Sequence, residues 1–306
     1  MTDTRIRLRS SLLLMSAALI WGFSFVAQSV GMKQLDPMWF NGMRMTLGGL
    51  ALIPYVLFRE KKKKAAGQQT VSIKDKTLLK GGIVCGTVLC VASAFQNYGI
   101  IRTTVGKSGF LTALYVLLVP ILGGLLFRKK TPMHIWICVG VAIVGMYFLC
   151  LYGSAEGTAF NTGDLLMLAC AVMFALHFHS LDRFSPRTDS VKLSMLQFLV
   201  CGVLSFIAAP FFAPVTAEGL KAALIPILYS GILSTSVAFT FQAIAQSSLD
   251  PTVASIICSL ESVFALIGGI LLLHEIPTLP QAIGCVLMFA AIVAAQIPGK
   301  KKQEAV

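Results

Sequence analysis

An acidic residue in the middle of an apolar run is the strongest chemical signal in this chain. Glu261 lies near the centre of the hydrophobic stretch 250–273. A charge at the middle of a membrane helix costs about 2.5–3.5 kcal/mol on insertion scales, so it needs a reason. Facing a central cavity, Glu261 can contact a substrate or exchange a proton; the other reading is a structural glutamate, protonated or paired along its helix. Arg44 stands about two turns into the stretch 38–58. Its planar donors can hold a carboxylate or phosphate bidentately, reach the lipid headgroups, or pair with Glu261. Gln96, Asn97 and Tyr98 form a polar cluster near one end of the third apolar stretch, and Gln242 lies near an end of the eighth. Such amides can line alternating gates, or they can join helices through hydrogen bonds worth about 0.6 kcal/mol each in membranes. Trp21 and Tyr115 are candidate aromatic walls, with plain packing as the other reading. His177 is a candidate cavity-facing polar group, and His179 points toward the end of its helix. The two histidines are two residues apart, so on a helix they diverge by about 200° and cannot share an ion. No metal and no cofactor is expected.

The elements that must position these groups follow from composition. The 306 residues are 56% hydrophobic and 12% charged, with a mean hydropathy of +0.81. A soluble domain carries about 25% charged residues. Such a chain cannot cover a water-facing surface, and the bilayer must be its solvent. The net charge of +12 does not imply nucleic acid, because the basic residues fall in short clusters between apolar runs. All eight cysteines lie inside apolar segments without a C-x-x-C, which marks them as buried packing residues. Arg5, Arg7 and Arg9 precede the first apolar run; with so many apolar segments following, an uncleaved first membrane helix is expected rather than a signal peptide.

A membrane-spanning helix needs about 20 apolar residues. Ten stretches qualify, at roughly 11–30, 38–58, 80–100, 104–127, 133–152, 163–181, 191–212, 221–242, 250–273 and 278–297. Asp36-Pro37, Thr131-Pro132, Asp250-Pro251 and Pro277 fall at their junctions. One long polar loop is expected from about Arg59 to Lys76. With the N-terminus inside, twenty basic residues collect on the inner side, in the clusters at 5–9, 59–80, 128–130, 183–192 and 300–302. Four fall outside: Lys33, Arg102, Lys107 and Lys221. The positive-inside rule then places both termini in the cytoplasm.

The chain also repeats itself at an offset of 145 residues. Gly123-Gly124 with Pro132 recurs as Gly268-Gly269 with Pro277, Asn97 falls on Gln242, and Val116 falls on Glu261. Arg128-Lys129-Lys130 becomes Leu273-His274-Glu275. Five helices per copy is an odd number, so the second copy enters the membrane from the opposite side. The expected fold is an all-α polytopic membrane protein of ten transmembrane helices, arranged as two inverted five-helix repeats over 1–152 and 153–306. That architecture recurs in secondary transporters, which bind substrate near the midplane. No G-x-x-x-x-G-K-[ST] is present, so any uphill transport draws on an ion or substrate gradient. G-x-S-x-G and H-E-x-x-H are absent too, which argues against two common hydrolytic enzymes.

The stretch from Leu260 through Glu261, Gly268-Gly269 and Glu275, followed by Pro277, Gln281 and Gly284, resembles the second repeat of EamA-like members of the drug/metabolite transporter superfamily. Trp21-Gly22-Phe23-Ser24-Phe25 and Arg44 resemble the opening of its first repeat. Ser262 stands where that family often has proline, and Lys130 where it often has glutamate. The resemblance implies a plasma-membrane carrier that exports small metabolites such as amino acids by alternating access, with proton or ion coupling open. A nucleotide-sugar or lipid-linked carrier of the same fold, or an integral-membrane enzyme, are the alternatives.

Overall fold

The computed structural model describes residues 3–33, 35–103, 105–152, 161–212, 214–264, 266–267 and 278–296. Gly268-Gly269, His274, Glu275, Pro277 and Lys300–Lys302 therefore lie outside the described residues. The described residues form helices and short connections, with no strand among them.

The helices are α1 (Asp3–Gly31), α2 (Pro37–Ala65), α3 (Lys76–Ile100), α4 (Val105–Ala113), α5 (Tyr115–Phe127), α6 (Met133–Cys150), α7 (Thr162–Phe184), α8 (Ser190–Ala208), α9 (Ala217–Ala222) and α10 (Leu224–Leu228). A π-helical segment, Tyr229–Phe239, runs on into α11 (Thr240–Gln246). Then come α12 (Pro251–Cys258) and α13 (Leu279–Gln296). Several starts carry local capping chemistry. Asp36, Asp75, Asp189 and Asp250 each accept a hydrogen bond from an amide of the first turn, filling a donor the helix itself leaves empty. Asn161 and Asp164 cap α7 reciprocally. Pro37 and Pro251 occupy first positions, where no amide is missed.

Among the described residues, six stretches are long and apolar enough to cross a membrane: α1, α3, α4 with α5, α7, α8, and α10 through α11. Shorter apolar helices cover Met133–Phe148, Pro251–Phe264 and Leu279–Ala295. Leu125, Met133 and Val286 are 74%, 75% and 68% exposed. Large apolar side chains turned outward in this number are a lipid-facing surface, not a water-facing one.

Three expectations need correction. The polar loop expected from Arg59 starts later, because α2 continues through Lys61–Lys64 to Ala65. Lysine and arginine are good helix formers, and cations suit a helix C-terminus. The stretch 250–273 is not one continuous helix: α12 ends at Cys258, Ser259 and Leu260 form a turn, and helix resumes at Glu261–Phe264. The stretch 104–127 is likewise interrupted, at Leu114.

Small residues set the closest packing. Along α2 and α8, Gly42 lies against Phe206, Gly49 against Leu199, and Thr46 against Gly202. Partners on α8 fall in number as those on α2 rise, so the two helices run antiparallel. Farther along, Arg59 Nη1 meets Asp189 Oδ1 at 2.9 Å and Lys63 Nζ meets Asp189 Oδ2 at 3.3 Å. Lys192, only 4% exposed in its side chain, pairs with Glu60 and donates to the Val71 carbonyl. That contact ties the loop after α2 onto α8. Elsewhere, a Cβ on Gly145 of α6 would sit 2.9 Å from the Gly284 carbonyl oxygen of α13, so this pair also meets through bare backbone.

Candidate functional site

A cavity opens between the helices, lined from α1, α2, α3, α4, α5, α7, the π segment, α11 and the Glu261 turn. Trp21, Phe25 and Gln28 reach it from one face of α1, because steps of four and three residues return to the same side of a helix. Phe174 and Phe178, four apart on α7, do the same from across the bundle. The Trp21 indole donates to the Ser234 carbonyl at 3.3 Å, and its ring rests on Phe239 at 4.8 Å. The carbonyl that accepts it belongs to the π segment, whose wider turns leave the ordinary helical pattern at functional positions. Phe178 lies 5.1 Å from the Tyr115 ring. The wall is therefore largely aromatic.

Two charges face this aromatic wall. Glu261 is 5% exposed, and Arg44 2%. Tyr115 Oη donates to Glu261 Oε1 at 3.2 Å. Both residues directly follow helix interruptions, at Leu114 and at Ser259–Leu260. Ser259 Oγ bonds the Ile256 carbonyl, and Ser255 Oγ bonds that of Thr252. Such back-bonding by serine bends helices, and the break at the glutamate directly follows it. Arg44 Nε donates to Asn41 Oδ1 at 3.0 Å, and Asn41 Nδ2 donates to Ser205 Oγ at 2.9 Å. This relay from α8 through α2 aims the guanidinium. Among the described residues, no ion pair joins Arg44 to Glu261. Among the described residues, the terminal amino groups of Arg44 and the second oxygen of Glu261 make no hydrogen bond, and both residues line the cavity. Gln28, Gln96, Gln242, Thr112 and Ser234 add neutral polar groups. The Gln242 Oε1 and Gln28 Oε1 atoms are buried without a partner among the described residues.

Of the residues singled out from sequence, Glu261, Arg44, Gln96, Gln242, Tyr115 and Trp21 line this cavity together. Asn97, Tyr98 and His177 do not. Successive residues on a helix point about 100° apart, so the cluster on α3 is split three ways. Gln96 enters the cavity, Asn97 Nδ2 donates to the Pro37 carbonyl at 3.4 Å, and Tyr98 Oη donates to Asp36 at 3.3 Å. His177 Nε2 lies 3.0 Å from Gln197 Oε1, and its ring meets Phe239 edge-on at 6.1 Å. It backs the aromatic wall rather than forming it. Sequence reasoning missed Phe25, Gln28, Thr112, Phe174, Phe178, Ser234 and Phe239. Only Gln28 carried a usable signal, as a polar residue two turns from Trp21. No cluster of His, Cys, Asp and Glu able to hold a metal occurs among the described residues.

A lipid-facing helical bundle around a buried, aromatic cavity with separated charges defines an integral membrane transporter. The chain belongs to the EamA-like transporter family, whose model matches residues 8–151 and again 161–295. It is similar to an uncharacterized transporter of Archaeoglobus fulgidus, 29% identical over 94% of this chain and 85% of that one. It is also similar to the uncharacterized transporter YoaV of Bacillus subtilis, 25% identical over 91% of this chain and 94% of that one. A crystal structure of another protein superposes with a TM-score of 0.78 at 20% identity, covering 95% and 97% of the two chains. At that identity the likeness speaks for the fold alone.

Proposed function

We propose that this protein is a secondary active or facilitative carrier that exports small zwitterionic metabolites of the amino-acid class. The observation that carries this reading is the pair Glu261 and Arg44, which line one buried cavity without pairing to each other. A ligand with both an ammonium and a carboxylate satisfies each charge, and the aromatic wall suits an apolar side chain. Mostly apolar cavities with a few fixed polar groups are typical small-molecule sites. Among the described residues, Arg44 is the one cation lining the cavity, which suits a single carboxylate better than the diphosphate of a nucleotide sugar or lipid-linked sugar.

The architecture belongs to the same proposal: ten membrane helices in two inverted repeats, 1–152 and 153–306, rocking between two access states. Three observations support it. The family model matches twice. The helices α2 and α8, which the 145-residue offset superimposes, pack antiparallel. The helix breaks at Leu114 and at Ser259–Leu260 fall at offset-matched places, and interrupted helices build the midplane sites of such carriers. The basic bias supports cytoplasmic termini, and a plasma-membrane location belongs to the same proposal. Glu261 is the group that would exchange a proton.

The test is counterflow in proteoliposomes of the purified chain, loaded with a labelled amino-acid mixture. Chemically unchanged label should exchange across the membrane only with the active protein. No exchange of any zwitterion, alongside exchange of a nucleotide sugar, would replace the substrate class; a chemically altered product would make the protein an enzyme.

A further inference from the structure

A second cavity lies at the end of the bundle where α5 leads into α6 and where α12 begins. It lies outside the aromatic cavity and takes no part in the transport reading. Arg7, Lys129, Lys130, His134 and His179 line it. Asp250 also lines it, with one oxygen committed to capping α12, and Asp182 pairs with Lys129 at 2.6 Å. The α6 N-terminus opens here too. Its cap residue is Pro132, which offers no side-chain acceptor, and among the described residues the amides of Met133 and His134 meet no acceptor. An uncapped helix start with its aligned dipole attracts an anion.

A second observation points the same way. His179 is only 4% exposed, and its Nδ1 has no partner. Nε2 lies 2.8 Å from the Val119 carbonyl, so Nε2 carries the hydrogen, and in the neutral ring Nδ1 is left as an acceptor. The site therefore offers cations and amides to an oxyanion, and one buried acceptor to a hydroxyl beside it. The geometry points to a binding site for a phosphate ester that carries a neighbouring hydroxyl. That chemistry is shared by the headgroup of an anionic phospholipid and by a phosphorylated solute. Basic pockets between membrane helices bind anionic headgroups in this manner, and exposed Met133 beside the α6 start faces lipid. Because α5–α6 and α12 both border the cavity, an occupant bridges the two halves of the chain.

The experiment is thermal unfolding of the full-length protein in detergent, with phosphatidylglycerol, phosphatidylcholine, glycerol 3-phosphate or inorganic phosphate added. Phosphatidylglycerol should raise the melting temperature and phosphatidylcholine should not. Protection by glycerol 3-phosphate at millimolar concentration, in competition with the lipid, would assign the site to a solute; protection by the lipid alone would assign it to a headgroup. Lys130→Gln should weaken apparent affinity about five-fold, from the contribution of one charge near the membrane surface, and Lys130→Glu should weaken it further. Arg187→Gln, a basic residue that does not line the cavity, is the control. His179→Phe should reduce discrimination between glycerol 3-phosphate and inorganic phosphate. If that variant fails to fold, the lysine series still decides. No protection by any phosphate-bearing probe, or equal loss in Lys130→Gln and Arg187→Gln, overturns the proposal.

Discussion

The Tyr115 hydroxyl donates to the Glu261 carboxylate at 3.2 Å, and each residue directly follows an interruption of its helix. The offset of 145 pairs Glu261 with Val116, so the glutamate touches the immediate neighbour of its own counterpart. In the proposed inverted-repeat arrangement, two matched segments meet this way close to the axis that relates them. Under the proposed alternating-access reading, a carboxylate there lies where both access states share a wall. Glu261→Gln keeps the shape and removes the charge. Charge-assisted hydrogen bonds contribute about 1.5–3 kcal/mol, so exchange should fall about ten- to a hundredfold and lose its pH dependence. Wild-type counterflow rates across pH 5–8 in this variant would rule out both substrate contact and proton exchange. Tyr115→Phe removes one donor and should slow exchange by less, about five-fold.

Arg44 is held by the relay from Asn41 and Ser205. Arg44→Ala should weaken apparent affinity for a zwitterion by about tenfold or more while amines lacking a carboxylate are affected little. Arg44→Lys should rescue only part of the loss, because the lysine cannot form the two-pronged contact. Competition assays with matched amino acids and amines would measure both effects. Unchanged affinity in Arg44→Ala would exclude the carboxylate role.

Gly202 and Gly48 sit where helices touch through bare backbone. A Cβ on Gly202 would collide with the Thr46 side chain, and one on Gly48 would lie 2.8 Å from the Gly231 carbonyl oxygen. Gly48→Val and Gly202→Val should each destabilise the fold by about 1–3 kcal/mol through overpacking. Gly67, with φ of 67° and open space around it, gives the contrasting case: Gly67→Ala meets only backbone strain and should cost less. Melting temperatures in detergent would rank the three.

The ion pairs around Asp189 and Glu60 predict acid sensitivity. Hydrogen bonding to Lys192 holds the Glu60 carboxyl below its usual 4.5. Burial would raise that of Asp189, but Arg59, the Lys192 amide and Lys63 outweigh it and hold it below the usual 3.8. A carboxyl lowered in the folded state adds stability that is present above its unfolded value and lost as pH falls through its folded value. The melting temperature should therefore drop as pH falls below about 4.5, and Asp189→Asn should flatten that drop while lowering stability near neutral pH. An unchanged profile in Asp189→Asn would show that the network contributes nothing to acid stability.

Much of the fold was legible in the sequence because hydrophobic burial in lipid is a requirement on composition, visible residue by residue. The apolar stretches, the isolation of Glu261 and Arg44 within them, and the 145-residue offset all follow from order alone. The helix interruptions were less legible. Nothing in Ser255, Ser259 or Leu114 announces a break, since serine back-bonding depends on the local environment and leucine favours helix. The extension of α2 through Lys61–Lys64 was misread for the opposite reason: charge marks a loop by composition but not by conformation.

Which residues face one another was decided only in three dimensions. Gln96, Asn97 and Tyr98 are adjacent in sequence and are divided among three environments by the rotation of α3. Trp21, Phe178 and Phe239 are far apart in sequence and build one aromatic wall. By itself, the sequence determined that this chain must live in a membrane and which few polar residues it carries into the apolar interior, because each such residue has a solvation cost wherever its helix lies. Whether those residues share a cavity was left to helix rotation, helix breaks and glycine-mediated approach, because these depend on packing between segments that sequence order does not relate.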